Sequence, residues 1–317
     1  MSMPEILAPA GSPEALLAAL RCGADAVYVG GKQFSARQSA ENFDGAALKE
    51  AADLCHLYGA KLYLTVNTLV FDREFDALDA WIREAASCGI DAFLVQDLGV
   101  LALIQEIAPD VPVHASTQMT IHTKAGVEWA KRQGFSRVVV SREMSRKELA
   151  PLCQCGIEIE HFVHGALCMS VSGQCSLSAM IGSRSANRGR CAQACRLPFS
   201  ATGKAGVCAL SLKDLCLVPY MQQLMADGVA SLKIEGRRNV RSMSPLLSLH
   251  WYRHEMGWNR IWRHSVPPFP EADSRTATTP ESAGTCSGHG KRKMSCKCKR
   301  YSPHWKSSTK SPRDVCL

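Results

Sequence analysis

Short runs of apolar and β-branched residues recur along the first 165 residues, and a helix-like stretch of mixed polarity follows each run. Several of these stretches end at a glycine, which favours the left-handed conformation that stops an α-helix. Strands that alternate with helices in this way form βα units and a parallel sheet. Together with one later run, the pattern predicts eight strands, over residues 5–10, 25–31, 61–68, 91–97, 112–118, 137–143, 158–165 and 231–236.

Helices fill the intervals between the predicted strands, as an α/β protein requires. Eight βα units fit a (β/α)8 TIM-barrel-like fold better than an open, doubly wound sheet. No G-x-G-x-x-G motif follows a predicted strand, so the sequence does not indicate a dinucleotide-binding Rossmann unit. The predicted helices begin near Pro13, Gly45, Glu74, Gly99, Lys124 and Ser145.

Two regions depart from this alternation of strands and helices. Residues 166–230 form a Cys-rich insertion after the seventh strand, and an ordered insertion of this length needs a stabiliser such as a metal or a cluster. Residues 1–240 are therefore predicted to form one barrel that carries the insertion. Residues 241–317 lack periodicity and indicate either a disordered basic tail or the product of a frameshift near residue 238. A frameshift there would remove the last helix of the barrel.

The net charge of +8 originates in the tail. Residues 242–317 contain 13 Lys and Arg against 5 Asp and Glu, whereas the preceding 241 residues contain 24 of each. Net charge therefore does not by itself indicate a nucleic-acid partner for the barrel. No apolar run reaches the roughly 18 residues of a membrane helix, and the N-terminus lacks the basic and apolar regions of a secretory signal. We expect a cytoplasmic protein with no membrane partner.

Four cysteines stand close together in the insertion, with the spacing C-x6-C-x15-C-x3-C. Disulfides are a poor explanation in a reducing compartment. Soft thiolates select zinc or an iron–sulfur cluster, and structural zinc sites favour tight Cys pairs, of which only one occurs here. The spacing thus favours a cluster over zinc, and the polar Ser, Gly and Arg composition around the cysteines argues against unliganded buried thiols. The predicted ligands are Cys168, Cys175, Cys191 and Cys195.

Arginines crowd the same segment, with no Asp or Glu among them. Guanidinium groups there can offset the charge of thiolates and a cluster, or receive a phosphate or carboxylate group of a substrate. A solvated loop face would have the same composition, so these alternatives stay open. The arginines are Arg184, Arg188, Arg190 and Arg196.

Polar side chains occupy the C-terminal ends of the predicted strands, where (β/α)8 barrels place their active sites. A lone amide such as Asn67 or Gln118 is more often a structural group, but polar residues at all eight strand ends indicate a site. The residues predicted to transfer protons are His114, Glu143, His164 and Glu235. The residues predicted to bind substrate are Arg37, Asn67, Gln118, Arg142, Arg188 and Arg237.

The cysteine segment resembles the signature of peptidase family U32, the collagenase-like proteins. The similar motifs are L-A-P-A-G at 7–11, G-A-D-A-V-Y at 23–28, E-H-F-V-H-G-A-L-C at 160–168, S-G-Q-C-S-L-S at 172–178 and K-I-E-G-R at 233–237. Within the family, R-S-A-N-R-G-R-C-A-Q-A-C-R-L-P-F at 184–199 is most similar to the branch that hydroxylates cytidine in ribosomal RNA. The resemblance covers about residues 4–238.

The resemblance implies a barrel enzyme whose four cysteines hold a 4Fe-4S cluster. Several bacterial members are oxygen-independent hydroxylases of ribosomal RNA, transfer RNA or ubiquinone precursors, and prephenate is implicated as the hydroxyl source of the RNA-directed members. The lead hypothesis is therefore an RNA hydroxylase with ribosomal RNA as its partner and prephenate as a co-substrate. The family continues after residue 237 with a regular helix, from which this sequence departs.

Two alternatives stay open. The first is a collagenase-like peptidase acting on a peptide substrate, although the sequence contains neither H-E-x-x-H nor G-x-S-x-G, and no base is evident for Ser172. The second is a non-enzymatic scaffold that is stabilised by a cluster or by zinc and binds RNA. Proteolysis that survives the loss of iron would favour the peptidase, and tight binding without turnover would favour the scaffold.

Overall fold

A computed structural model of the chain describes residues 3–36, 41–201 and 204–236. Arg37 and Arg237, two of the predicted substrate-binding residues, lie outside the described residues. The predicted basic tail and the proposed frameshift fall outside them as well, so these hypotheses stay predictions.

Eight parallel strands close into a barrel, which confirms the (β/α)8 prediction. The seventh strand pairs with both the sixth and the last, and the last strand also pairs with the first. Along the chain, three further strands lie between the seventh and the last barrel strand, so the last barrel strand is numbered β11. The strands are β1 (Glu5–Pro9), β2 (Ala26–Gly30), β3 (Lys61–Val66), β4 (Ala92–Val95), β5 (Val113–Ala115), β6 (Arg137–Val139), β7 (Glu158–Gly165), β8 (Phe199–Ala201), β9 (Lys204–Val207), β10 (Leu215–Cys216) and β11 (Ser231–Ile234).

Six helices alternate with the strands β1 to β7, and each begins within one residue of its predicted start. Side-chain caps explain several of these starts, because an oxygen before the helix accepts a hydrogen bond from a backbone N–H that the helix leaves free. Ser12, Asp44 and Asp97 cap helices in this way. No helix in the described ranges is both long and apolar enough to span a membrane. The helices are α1 (Pro13–Arg21), α2 (Gly45–Leu57), α3 (Phe75–Ser87), α4 (Leu98–Ile107), α5 (Lys124–Arg132), α6 (Arg146–Leu152), α7 (Leu177–Gly182) and α8 (Met221–Asp227).

Two apolar clusters form the core. The larger cluster fills the space between the barrel and its helices, with residues such as Leu64 and Ile104 fully buried. The smaller cluster lies inside the barrel and includes Tyr28, Tyr63 and Phe162. Side chains of a strand alternate between these two spaces, so one strand contributes to both.

A buried network of side-chain ion pairs and hydrogen bonds lies in the barrel interior, next to the smaller apolar cluster. The guanidinium of Arg137 donates to Glu5 at 2.6 Å and to Glu160 at 3.3 Å, and Lys233 donates to the other oxygen of Glu160 at 2.6 Å. The hydroxyl of Tyr63 donates to Glu5 at 2.6 Å. Burial alone would raise the pKa of Glu5, but the charge and hydrogen bonds of Arg137 outweigh burial and lower this pKa. The network therefore holds Glu5 ionised inside the barrel.

His161 makes the stability of the fold depend on pH. Its ring is buried, and burial, aided by the charge of Arg142, lowers its pKa from 6.5 to about 4. The unfolded chain takes up a proton on this ring below pH 6.5, whereas the folded chain does not until about pH 4. The ring's contribution to stability is thus complete above pH 6.5 and is lost, by about 3 kcal/mol, as the pH falls toward 4.

Urea denaturation of the wild type and of His161→Leu, carried out at neutral and at mildly acidic pH, tests this expectation. The wild type should lose more free energy of unfolding than the variant on acidification, because leucine cannot take up a proton. Equal losses in the two proteins would contradict the assignment.

Candidate functional site

The Cys-rich segment folds over the C-terminal end of the barrel. We call residues 166–213 the cap. On one side, the backbone N–H and the hydroxyl of Ser172 donate to Glu143, which follows β6, at 3.0 and 3.2 Å. Thr120, which follows β5, donates to the carbonyl of Ser172 at 3.1 Å and accepts from Gln174 at 3.0 Å. These bonds fix the segment between the first two cap cysteines against the barrel mouth.

A second anchor joins the cap to the loop between β3 and α3. Arg188 forms a bidentate ion pair with Glu74 at 2.5 and 3.0 Å and donates to the carbonyl of Leu69 at 2.8 Å. Its guanidinium also lies 4.4 Å from the centre of the Phe71 ring. The hydrogen bond from Arg188 lowers the pKa of Glu74. The structure thus places Arg188, a predicted substrate-binding residue, in contact with the barrel rim.

Beside β7, hydrogen bonds from Arg196 join the two ends of the cap to each other. Arg196 donates to the carbonyl of Leu167 at 2.8 Å and to the hydroxyl of Ser211 at 2.8 Å. Strand β10, which follows the cap, pairs antiparallel with the end of β7. The cap is therefore held to the loops after three barrel strands and to the end of a fourth.

All four predicted cluster ligands are free thiols that are partly exposed in the cap. Burial raises the pKa of Cys168, and the nearby thiols of Cys175 and Cys195 raise it further, while the backbone of Ser170 and the charge of Arg142 act in the opposite direction. The charge of Arg142 thus favours the thiolate form of Cys168, against the effect of burial.

Hydrogen-bond donors surround the remaining thiol. The backbone N–H of Gln193 lies 3.4 Å from the sulfur of Cys191, and the hydroxyl of Ser178 lies 4.0 Å from it. N–H donors to a sulfur stabilise its thiolate form and tune clusters bound to it. Soft thiols with such donors have the chemistry that an iron–sulfur cluster requires.

The thiols do not converge on one point. Within the part of the chain that the structure describes, no three His, Cys, Asp or Glu side chains are arranged to hold a single metal ion. In a 4Fe-4S cluster each thiolate binds a different iron, so its ligands stand farther apart than those of one ion.

Arg142 and Glu235 meet at the mouth, directly under the cap. Their side chains are 3.4 Å apart and both are largely buried. The guanidinium of Arg142 stacks on the ring of Phe162 at 4.2 Å and donates to the carbonyl of Ala166 at 2.9 Å. Gly165 has φ +116° and lies against the backbone of Glu235, so a side chain at position 165 would push these strand ends apart.

Within the described ranges, four buried polar atoms at the C-terminal end of the barrel have no hydrogen-bond partner. An unpaired buried polar atom costs about 1–3 kcal/mol, so a group of them at the open end of a barrel indicates a place for a polar ligand. They lie at or just after the ends of β4, β5 and β6. The atoms are Gln96 Oε1, Thr117 Oγ1, Ser141 Oγ and Arg142 Nε.

Asn67 and Gln118 link the ends of β3 and β5 across the barrel mouth. The amide of Asn67 donates to Ser116 at 3.1 Å, and the amide of Gln118 donates to the carbonyl of Asn67 at 2.9 Å. The backbone N–H of Ala36 donates to Asn67 at 3.0 Å. Both predicted substrate-binding amides are thus engaged with the protein, where they orient the rim.

The predicted proton-transfer residues do not all reach the mouth. His114 lies within the barrel, edge-on to Tyr63 at 4.9 Å between ring centres. Burial, together with the charges of Arg137 and Lys233, lowers its pKa well below the ordinary value. Its Nδ1 has no hydrogen-bond partner in the part of the chain that the structure describes. The structure places this neutral ring beside the ion network, deeper than the strand ends.

A β-bulge changes the side on which His164 lies. The register of β7 against β11 shifts between Lys233 and Ile234, so His164 pairs with Ile234, which is buried between barrel and helices. Burial lowers the pKa of His164, and the charge of Asp214 partly offsets this effect. Of the four predicted proton-transfer residues, Glu235 is the one that pairs with Arg142 at the mouth.

Sequence reasoning missed Phe162, Thr117 and Ser141 as site residues. Phe162 follows the inward period of β7, two residues after Glu160, and this spacing is the signal that could have found it. Thr117 and Ser141 carry no such signal, because a lone hydroxyl near a strand end is common.

Gly173 sets how closely the cap approaches the barrel. Its φ is +78°, and an added Cβ would lie 3.0 Å from the backbone of Gln118. Gly173→Ala should therefore strain the loop by about 1–3 kcal/mol and loosen the cap. Hydrogen–deuterium exchange of residues 168–175 should become faster, while exchange of the barrel strands stays unchanged.

Gly182→Ala is the matched control for this substitution, because an added Cβ there meets no atom within 4 Å. It should leave the exchange of the cap unchanged. Equal exchange in wild type and Gly173→Ala would show that this contact does not set the position of the cap.

Comparison with known proteins identifies the family. The model of peptidase family U32 matches residues 11–254. Among curated proteins, the chain is 34% identical to the tRNA hydroxylation protein P1 of Bacillus subtilis, covering 78% of this chain and 62% of that protein. It is 38% identical to the 23S rRNA 5-hydroxycytidine C2501 synthase of Escherichia coli, covering 78% and 38%. It is 37% identical to a collagenase of Porphyromonas gingivalis, covering 74% and 61%.

The chain thus spans less than two thirds of the length of these three relatives. Among solved structures, the U32 peptidase Mk0906 superposes with a TM-score of 0.51 at 12% identity, covering 75% of this chain and 96% of that one. This likeness concerns the fold. Together with the family match over most of the chain, it leads to one conclusion: the chain belongs to peptidase family U32.

Proposed function

We propose that this protein is an oxygen-independent RNA hydroxylase with a 4Fe-4S cluster on its four cap cysteines. The observation that carries the proposal is the position of the cap, which sets four free thiols over a barrel mouth containing a buried, incompletely paired arginine. Relatives named for the hydroxylation of tRNA and of 23S rRNA support it. The motif at 184–199 favours ribosomal RNA as the substrate.

The cap cysteines would hold the cluster, which supplies redox chemistry when bound. Cys168, Cys175, Cys191 and Cys195 differ in their surroundings, since backbone and hydroxyl donors face the sulfur of Cys191 while the charge of Arg142 acts on Cys168.

Arg142 would bind a carboxylate group of a co-substrate such as prephenate. Its Nε is buried and has no hydrogen-bond partner among the residues that the structure describes, and guanidinium groups bind carboxylates through charge-assisted hydrogen bonds. Stacking on Phe162 and the ion pair with Glu235 fix the orientation of the guanidinium. Glu235 would accept or return a proton next to this carboxylate.

Arg142→Met should lower kcat/KM for the carboxylate co-substrate by about ten- to a hundredfold, because a hydrogen bond to a charged group contributes about 1.5–3 kcal/mol. The effect should appear mainly in KM for that co-substrate. Arg146→Met is the matched control, since Arg146 pairs with Asp227 in the outer layer of helices. An equal loss in both variants would contradict the role of Arg142.

Anaerobic purification followed by iron, sulfide and absorption measurements tests the cluster. The same protein, incubated with rRNA and with tRNA lacking the modification, with and without prephenate, tests the reaction by mass spectrometry of the digested RNA. Cluster-dependent hydroxylation of rRNA is the expected result. Well-folded, iron-free protein that leaves both RNAs unmodified under all these conditions would contradict the proposal.

A collagenase-like peptidase is the second candidate. The hydroxyl of Ser172 lies 3.2 Å from the carboxylate of Glu143, which is the only partner of that hydroxyl within the described residues. A relative named collagenase is 37% identical. This function predicts cleavage of a collagen-like peptide that survives removal of iron and is lost in Ser172→Ala.

A further inference from the structure

The cap and the barrel carry opposite charge. Residues 166–213 contain six Lys and Arg and no Asp or Glu, whereas the other residues up to 236 contain 15 Lys and Arg and 24 Asp and Glu. The balance of charge over the first 241 residues therefore conceals a basic cap on an acidic barrel. A polyanion approaching this protein is attracted to the cap end and repelled by the remainder.

Two of the cap arginines are available to such a partner. Arg188 anchors the cap to Glu74, and Arg196 is used in hydrogen bonds within the cap. Arg184 and Arg190 are exposed, and the side chain of Arg184 donates to the carbonyl of Arg190 at 3.2 Å, which keeps the two residues together. Neither has an acidic partner among the described residues, since Glu74 and Glu143 at the rim are already bound to the cap.

Apolar side chains lie exposed on the same cap. Met180 and Ile181 on α7 are 83% and 62% exposed, although large apolar side chains usually avoid solvent. Single-stranded RNA offers both phosphates for arginines and unstacked bases for apolar contacts. A collagen-like peptide would use the apolar side chains but would gain little from the excess of positive charge.

We propose that the exposed face of the cap, formed by Met180, Ile181, Arg184 and Arg190, is the surface on which single-stranded RNA docks. This inference rests on the proposed function and names the face that would present RNA to the barrel mouth. Docking there brings the phosphate backbone to Arg184 and Arg190, while an unstacked nucleotide reaches toward Arg142 beneath the cap.

The test compares two double variants of the full chain that lose the same charge. Arg184→Gln with Arg190→Gln alters the cap. Arg21→Gln with Arg132→Gln alters the C-terminal ends of α1 and α5, which lie at the opposite end of the barrel. The probe is a short single-stranded RNA that contains cytidine and 4-thiouridine.

Affinity for this RNA should fall on the order of tenfold in the cap variant, with a shallower dependence on salt, and should stay near wild type in the control. Photo-crosslinks mapped by mass spectrometry should fall within residues 168–197 and disappear in the cap variant. The mapping separates the cap from the basic residues after 236, which both variants retain.

Crosslinks confined to other regions, or equal affinity losses in the two variants, would overturn this docking surface even if the wild type hydroxylates RNA. Displacement of the RNA by a collagen-like peptide at similar concentration would overturn it in favour of a peptide partner. A wild type that neither binds nor hydroxylates RNA would overturn the proposed function together with this inference.

Discussion

Glu160→Gln is expected to lower the free energy of unfolding by about 3–5 kcal/mol. The carboxylate of Glu160 is fully buried and accepts hydrogen bonds from both Lys233 and Arg137. Glutamine keeps the shape but removes the negative charge that Lys233 and Arg137 share in the interior, so the positive charge there is less well compensated. Urea denaturation followed by circular dichroism measures the loss.

Glu158→Gln is the matched control, because Glu158 pairs with the same Arg137 but its side chain is 54% exposed. Solvent weakens that pair, so the loss should stay below about 1 kcal/mol. A double variant, Glu160→Met with Lys233→Met, should recover part of the stability because it removes the uncompensated charge as well. Equal losses for Glu160→Gln and Glu158→Gln would show that the interior network is not what stabilises the barrel.

Cys168→Ala is expected to abolish iron and sulfide binding and, with them, RNA hydroxylation. Four thiolates hold a 4Fe-4S cluster, and the charge of Arg142 at the barrel mouth acts on the thiol of Cys168. Loss of one ligand should also loosen the cap, because a cluster stabilises the segment that binds it. Iron and sulfide analysis of anaerobically purified protein and mass spectrometry of the RNA product measure the two effects.

Cys155→Ala is the matched control, since its thiol is likewise free and partly exposed but follows α6 at the opposite end of the barrel. It should keep full iron content and activity. The urea concentration at which half of the barrel is unfolded should be similar in both variants. This measurement separates loss of a ligand from failure to fold. Retention of iron in Cys168→Ala, or equal loss in Cys155→Ala, would contradict the ligand assignment.

The order and type of the barrel elements follow from the sequence, because apolar periodicity and helix caps act over a few neighbouring residues. Buried runs such as 61–66 and capping residues such as Asp44 carry this local information. Seven of the eight predicted strands extend past the observed strands by one to four residues at one or both ends, since hydrogen-bonded pairing stops where each strand turns into its loop, whereas the predicted bounds of 158–165 agree with β7. The count of eight strands was sufficient to predict closure into a barrel.

The depth and direction of the site residues were decided by the tertiary structure. His114 fits the inward period of β5, but the stagger of the strands places it beside Tyr63 rather than at the mouth. A bulge turns His164 toward the face of Ile234. Neither the stagger nor the bulge can be predicted from the residues around these histidines, because both arise from pairing with other strands.

Partners distant in sequence are decided in the same way. Arg137 meets Glu5, 132 residues away, and Arg188 meets Glu74, 114 residues away. The sequence by itself supplied the residues that we propose for the chemistry, including the four cap thiols and Arg142, because residue type and spacing are local properties. Only closure of the barrel and docking of the cap decided which of them share the mouth, since that depends on contacts between segments that no local pattern records.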